Sequence, residues 1–403
     1  MPVVGIVGTL DTKGHEFAFL KERLKAAGVR TLVLHCGADT PLFPPDVTNS
    51  EVAAAGGESL EGLLARRDRG ELVAVMARGA ATTAARLFAE GRLDGLISLG
   101  GSAGTTIGTA AMRALPVGVP KLMVSTMASG DTRPYVETKD IAMLYSVVDV
   151  AGLNRLSRRI LANAAAAIAG MVAAPPVESA PDRPLIGATM FGVTTPCVTE
   201  ARRLLEEAGY EVLTFHATGT GGRAMEDLVR GGFLAGVLDI TTTELADELV
   251  GGALSAGPDR LEAAGDLGLP QVVCPGAVDM VNFGAPETVP ERFAHRRFYP
   301  HNPTVTLMRT TPDENAALGR LTARKLNRAR GPVTVVLPMG GVSAIDHPGQ
   351  PFDDPAARAA YADALRAELS PSIHLIEADA HINDPEFAAL AARALLDMLG
   401  TPR

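Results

Sequence analysis

At 403 residues, with 42 glycines, no tryptophan and 4% aromatic residues, the chain is too long for one ordinary core and has the make-up of parallel sheets covered by helices. Its net charge of −9 excludes a general nucleic-acid-binding surface. Three cysteines without CxxC spacing (Cys36, Cys197 and Cys274) exclude a disulfide framework and are expected to be small buried residues in a reducing, cytoplasmic setting.

The N-terminus, MPVVGIVGTL, lacks a basic leader region and reads as a strand over residues 3–7. The longest uncharged apolar stretch, residues 164–174, is too short to span a bilayer, so no membrane association is expected. The first strand ends in Gly8-Thr9-Leu10-Asp11-Thr12-Lys13-Gly14. A helix follows, with Phe17, Leu20, Leu24 and Ala27 at helical spacing, and then a second strand over 31–35. In this βαβ unit Thr9 and Thr12 offer hydroxyls to phosphate oxygens, Lys13 a positive charge, and Asp11 a ligand for a metal or a ribose hydroxyl. Alternatively, Asp11 or Thr12 is simply the helix cap.

Helices are expected over 58–67 and 72–88. Residues 95–99 then read as a buried strand that breaks into Gly100-Gly101-Ser102-Ala103-Gly104-Thr105-Thr106 before a helix over 107–115. A strand feeding such a turn aims unpaired N–H groups and the positive end of a helix dipole at one point, where a phosphate-sized anion fits. No lysine follows Gly104, and the glycine spacing does not match GxGxxG, so neither standard nucleotide fingerprint is present. A strand over 121–126 leads into a third polar end, Ser125-Thr126-Met127-Ala128-Ser129-Gly130-Asp131-Thr132-Arg133. Ligands of open parallel sheets collect outside the strands' carboxyl ends, so the three loops are expected to converge on one crevice.

Residues 149–174 predict a long small-residue helix, and the Pro-rich stretch 173–184 a linker. The second half then repeats the first in outline. LKAAGVRTLVLH (24–35) aligns with LEEAGYEVLTFH (205–216) without a gap, and GRLDGLISL with GGFLAGVLDI. In the second copy the turn is Asp239-Ile240-Thr241-Thr242-Thr243-Glu244, without glycines, so its phosphate-binding capacity is expected to be lost or changed. Beyond Phe283 the chain adds a basic and aromatic loop over 295–303, a strand over 304–308 and a helix start at Thr311-Pro312-Asp313-Glu314. A strand over 333–337 ends in a second glycine turn carrying Ser343, Asp346 and His347. Arg309, a cation at a strand end, joins these three as the candidates for catalysis. Asp346 and His347 offer general-base or metal-ligand chemistry, although sequence neighbours point apart. Asp379 and His381 share one further loop, and no set of residues has zinc-site spacing.

GTLDTKG (8–14), SLGGSAGT (98–105), VPKLMVSTMASGDTRPYV (119–136), FYPHNPTVTLMRTT (298–311) and LPMGGVSAIDHPGQPFDDP (337–355) resemble uncharacterised protein family 0261. That family takes in the ATP-binding region of the plant inhibitor of tomato mosaic virus replication. Ala103 departs from the pattern, standing where a second glycine is common. The resemblance implies an α/β protein of two Rossmann-like three-layer domains, 1–176 and 184–403, with mostly parallel sheets related as a degenerate internal repeat. It further implies bound ATP with Mg²⁺ near the first domain and self-association as a homodimer. ATP suits the crevice read from the residues: Gly8, Thr9, Leu10, Asp11, Thr12 and Lys13 on one wall, Gly100, Gly101, Ser102, Gly104 and Thr105 on the phosphates, and Ser125, Thr126, Met127, Ser129 and Gly130 closing it. Lys13 and Arg133 supply charge, and Asp11 or Asp131 would hold Mg²⁺. Three functions stay open: an ATP-using enzyme acting on a small-molecule substrate, a nucleotide sensor without turnover, and an enzyme of a phosphorylated metabolite.

Overall fold

The computed structural model describes residues 1–175 and 183–399, so most of the Pro-rich stretch lies outside the described residues. The chain divides into two units, Met1–Glu178 and Ser179–Arg403. In the first, β1 (Val3–Gly8), β2 (Arg30–His35), β3 (Gly95–Gly100), β4 (Lys121–Ser125) and β5 (Ala142–Tyr145) form one parallel sheet ordered β2-β1-β3-β4-β5. Alternate residues face opposite layers. On one side Val4, Ile6, Val33, Ile97 and Leu99 meet Phe17, Leu20 and Leu24 of α1 (Gly14–Ala26) and Leu161, Ala165 and Ile168 of α7 (Arg155–Ala173). On the other, Val7, Leu32, Leu34 and Leu96 pack under α2 (Asn49–Ala55), α3 (Leu60–Arg66), α4 (Arg69–Ala89) and α5 (Ser102–Arg113). A single turn, α6 (Arg133–Val136), precedes β5.

The largest shifts between expected and observed helix starts fall at α7 and α5. The helix expected from Asp149 starts at Arg155, because the Asn154 side chain accepts the N–H groups of Leu156 and Ser157 and so caps it there. The helix expected from Ile107 starts at Ser102, with Gly101 as its cap. By length and composition alone α4 and α7 are long and apolar enough to cross a membrane. In this fold α4 buries Val75, Met76, Ala80, Ala84 and Leu87, and α7 buries Leu161, Ala164, Ala165 and Ile168.

The second unit holds a six-stranded parallel sheet ordered β14-β13-β9-β8-β6-β7. Its strands are β6 (Leu185–Met190), β7 (Glu211–His216), β8 (Gly236–Thr241), β9 (Gln271–Gly276), β13 (Val333–Pro338) and β14 (His374–Ala378). Counted from each unit's first strand, both sheets run 2-1-3-4-5, the second with one strand added. The aligned segments occupy equal ranks: 24–35 and 205–216 supply β2 and β7, and the next pair ends in β3 and β8. The internal repeat therefore extends to topology. α8 (Thr195–Glu207) and α14 (Pro385–Leu399) cover one face. Helices α9 (Thr220–Arg230), α10 (Thr243–Val250), α11 (Ala263–Leu267), α12 (Pro312–Leu326) and α13 (Pro355–Glu368) complete the unit.

The added segment contains a small antiparallel sheet of β10 (Met280–Phe283), β12 (Val305–Arg309) and β11 (Phe298–Asn302). The stretch expected as a loop over 295–303 is thus partly an edge strand. Phe298 and Tyr299 pair with Met308 and Leu307, and the bulge between Pro300 and Asn302 is where a proline is tolerated. Thr311, Pro312 and Glu314 form the capping box expected of them.

Candidate functional site

The order β2-β1-β3 reverses direction between β1 and β3, and the crevice outside such a switch point is where open α/β sheets bind ligands. Both strands end there in the loops singled out from the sequence. A cleft of about 530 Å³ is lined by Thr9, Asp11, Thr12 and Lys13 after β1 and by Gly100 through Gly104 after β3. It is of the size ligand pockets take.

Gly101 caps α5 with extended backbone and no side-chain hydrogen bond, while its own carbonyl takes the Thr105 N–H at 2.8 Å. The N–H groups of Ser102, Ala103 and Gly104 are therefore left for a ligand at the positive end of the helix. A Cβ on Gly100 would lie 3.0 Å from the Gly104 Cα, which explains the first glycine; one on Gly101 would meet nothing nearer than Thr126 Oγ1 at 3.7 Å. The second glycine keeps open space rather than relieving a clash.

The β1 loop is held from within. Thr12 Oγ1 donates to Thr9 Oγ1 at 2.8 Å, and the Asp11 carboxylate accepts the N–H groups of Thr12 and Asp39 at 2.8 and 3.0 Å. Neither Asp11 nor Thr12 caps α1, whose cap is Lys13 without a side-chain bond. Lys13 Nζ donates to the Val150 carbonyl, which places its charge at the rim beside Asp149. Two walls come from segments with no local sequence signal: Cys36, Gly37, Ala38 and Asp39 after β2, and Arg69, Leu72, Val73 and Met76 of α4. The α4 side chains and Ile107 make one side apolar. Burial pushes the Cys36 thiol up to about 12, so it is no nucleophile.

Other residues expected in the crevice have different work. Gly8 is a packing position, since a Cβ there would fall 1.8 Å from the Phe17 ring. Gly8→Ala is expected to lower stability by about 1–3 kcal/mol through overpacking, measured by chemical denaturation. Leu10 is fully buried. In the third loop Thr126 Oγ1 comes within 3.7 Å of where a Gly101 Cβ would stand, at the edge of the cleft, whereas Ser125 and Thr105 are buried and bonded to each other at 2.6 Å, and Ser125 Oγ also accepts the Met127 N–H. Thr126, Met127 and Ser129 follow in a short 3₁₀ turn beside α5, closed by Gly130, and are not part of the cleft lining. Asp131 is exposed and closed in a two-point pair with Arg133, whose guanidinium holds its carboxyl down at about 2. Asp11 lines the cleft and Asp131 does not, and no cluster of three or more metal-ligating side chains occurs among the described residues.

In the second unit the turn after β8 is filled by the protein itself. Arg260, fully buried, spans the Asp239 carboxylate at 2.5 and 2.7 Å and reaches Glu244 at 2.7 Å. Glu244 in turn accepts the Gly219 and Gly222 N–H groups. Three of the catalytic candidates, Arg309, Asp346 and Ser343, meet in one buried cluster around Asp279. Arg309 donates to Phe352 O, Thr310 Oγ1 and the buried Asp346, and Asp346 also accepts from Arg358 at 2.8 Å. With every edge engaged, this arginine staples the 346–352 loop onto β12. A space of about 20 Å³ beside it holds no more than one water. Ser343 donates to Asp279 at 2.8 Å, and His347 packs edge-on, ring centres 5.2 Å apart, against His381, whose Nε2 lies 2.8 Å from the Ser343 carbonyl.

Burial, reinforced at Asp279 by the neighbouring Asp346 charge, pushes the carboxyls of Asp247 and Asp279 up to about 7. An unfolded carboxyl releases its proton near pH 4, so between about 4 and 7 the folded chain holds protons the unfolded chain has lost. Their contribution is complete below that window and disappears as pH rises through about 7. Thermal unfolding is expected to show the second unit less stable at pH 8 than at pH 5.5, by a few kcal/mol at most, and Asp279→Asn is expected to flatten that slope.

With both sites described, the family follows. The profile of the uncharacterised protein family (UPF0261) N-terminal domain matches residues 2–176, and that of its C-terminal domain matches 183–399. The chain belongs to the UPF0261 family. A UPF0261 protein of Clostridium tetani is 53% identical over 396 residues, covering 98% of both chains. The ToMV resistance protein Tm-1(GCR237) of Solanum lycopersicum is 40% identical over 428 residues, which make up 98% of this chain and 56% of the tomato protein. Among solved structures, a UDP-N-acetylglucosamine 2-epimerase from Rickettsia bellii overlaps 68% of this chain and 78% of its own, at 12% identity and a TM-score of 0.24, too low to carry an argument. The cleft lies wholly within the UPF0261 N-terminal domain, and the Arg260 and Arg309 clusters within the C-terminal one.

Proposed function

We propose that the N-terminal cleft binds ATP with Mg²⁺, and that the protein is an enzyme using this site on a small-molecule substrate. The observation that supports it is the uncapped start of α5 at the β1/β3 switch point, facing the Thr9 and Thr12 hydroxyls across a cleft of about 530 Å³. Three free N–H groups suit phosphate oxygens, and the apolar side of Leu72, Val73, Met76 and Ile107 suits a base or ribose face. Asp11, Asp39 and Asp149 line the same cleft, so a polyphosphate is better received with a neutralising cation than alone. Magnesium typically keeps one or two protein carboxylates beside phosphate oxygens, a donor set that Asp11 fits without a preformed cluster. When bound, the ion supplies charge neutralisation at the phosphates. The chain's own part is to orient them on α5, to shield them under α4 and to hold Lys13 at the rim. The three buried free cysteines suit a cytoplasmic setting, and the family resemblance supports a homodimer.

Calorimetric titration tests the reading. Heat is expected with Mg²⁺-ATP, less with ATP in EDTA, and none with sugar phosphates. Binding of a sugar phosphate with no response to Mg²⁺-ATP would instead make this a site for a phosphorylated metabolite. Product analysis with ATP and candidate metabolites then separates enzyme from nucleotide sensor: ATP left intact with all of them favours the sensor.

A further inference from the structure

We propose that His35 is the positioning residue of the cleft, its imidazole fixing where the loops after β1 and β2 stand relative to each other. The inference rests on the nucleotide-binding reading above. His35 ends β2 and is fully buried. Its Nε2 lies 2.9 Å from the Asp39 carbonyl, which can only accept, so Nε2 carries the proton. Nδ1 is then a bare acceptor, and it takes two backbone N–H groups: Leu10 from the β1 loop at 3.2 Å and Gly37 from the β2 loop at 3.3 Å. One ring thus ties three main-chain groups in the two loops that carry Thr9, Asp11 and Asp39. A second link runs the same way, since Asp11 accepts the Asp39 N–H and its carboxylate lies over Gly37, where a Cβ would come within 2.1 Å. The Asp11 and Thr9 side chains stay clear of the imidazole bonds, so His35 acts through the backbone and does not touch the ligand.

The two nitrogens can be tested separately. His35→Asn keeps an acceptor near the Nδ1 position and loses the Nε2 donor, whereas His35→Gln reaches the Nε2 position and gives up the Nδ1 acceptor. Mg²⁺-ATP affinity is expected to stay within about threefold in His35→Asn and to fall about tenfold or more in His35→Gln, with similar thermal midpoints in the two variants. A general structural role would weaken both alike, and equal affinities in the two variants would overturn the proposal. Hydrogen exchange gives a readout that needs no nucleotide: the Leu10 and Gly37 amides are expected to exchange slowly in the wild type and His35→Asn, and faster in His35→Gln. Equal rates in all three would also overturn it. A wild type that binds no Mg²⁺-ATP yet shows this exchange pattern would sink the nucleotide reading and leave the positioning role standing.

Discussion

Gly101→Val is expected to weaken Mg²⁺-ATP binding at least about 100-fold, equivalent to about 2.7 kcal/mol, while the first unit unfolds within a few degrees of the wild type. The separation of the two effects comes from local geometry. Gly101 has φ −82° and ψ −157°, a backbone any residue adopts, and a Cβ there stands 3.7 Å from its nearest neighbour. The added isopropyl group fills the space in front of the α5 amides rather than the core. Gly104 would not serve, because a Cβ there meets the Leu99 carbonyl at 3.2 Å and would mix strain with blockage. Gly101→Ala should fall between wild type and valine. Titration calorimetry and a thermal melt on the same samples decide the matter, and unchanged affinity in the valine variant would move the ligand elsewhere.

The largest effect on stability is expected from Arg260→Met. Its guanidinium is surrounded by Asp239 and Glu244, with Glu226 at 3.5 Å, all almost wholly buried. Burial alone would push the arginine's proton affinity down, but the Asp239 and Glu244 charges hold it well above the usual value. Glu226, chiefly through burial, is pushed up and so takes on a proton more readily. Removing this buried cation strands acids in a low-dielectric interior, with only the half-exposed Arg230 left beside Glu226, a loss of about 3–5 kcal/mol for the second unit. Neutralising the acids at the same time, as Arg260→Met with Asp239→Asn and Glu244→Gln, should restore much of it. Urea denaturation measures both variants. A single variant as stable as the wild type would mean that water, not the arginine, satisfies these carboxylates.

This cluster also explains why two halves of one winding differ in chemistry. At the end of β3 the chain leaves small residues and open amides. At the equivalent end of β8 it places Thr241, Thr242, Thr243 and Glu244, and closes the turn with a long-range arginine. The missing glycines were legible in the sequence. The filling was not, because Arg260 lies 16 residues beyond Glu244 with no motif around it.

Elsewhere the legible part was local and the illegible part was tertiary. Strands such as β1 and β3 show as short aliphatic runs bounded by glycine, and the two switch-point loops announce themselves by Gly, Ser and Thr. A glycine that spares a phosphate and one that spares a phenylalanine look alike, however, so Gly8 read as a ligand residue although Phe17 explains it. A serine hydroxyl bonded to Thr105 reads like one free for a ligand, so the sequence points Ser125 at the crevice although its hydroxyl is taken. Asp39, Arg69 and Asp149 reach the cleft from separate parts of the chain, and nothing local in their sequence marks them. His35 looked like a mere strand end, and only the hydrogen bonds at both ring nitrogens show what it holds.

The most direct measurement is amide mapping by NMR or hydrogen exchange on the full chain, with and without Mg²⁺-ATP. The nucleotide should shift or protect the N–H groups of Ser102, Ala103 and Gly104, with smaller changes over 9–13, and leave 127–130 and the second unit's turn after β8 unaltered. Saturating nucleotide with those three amides unchanged would contradict the account.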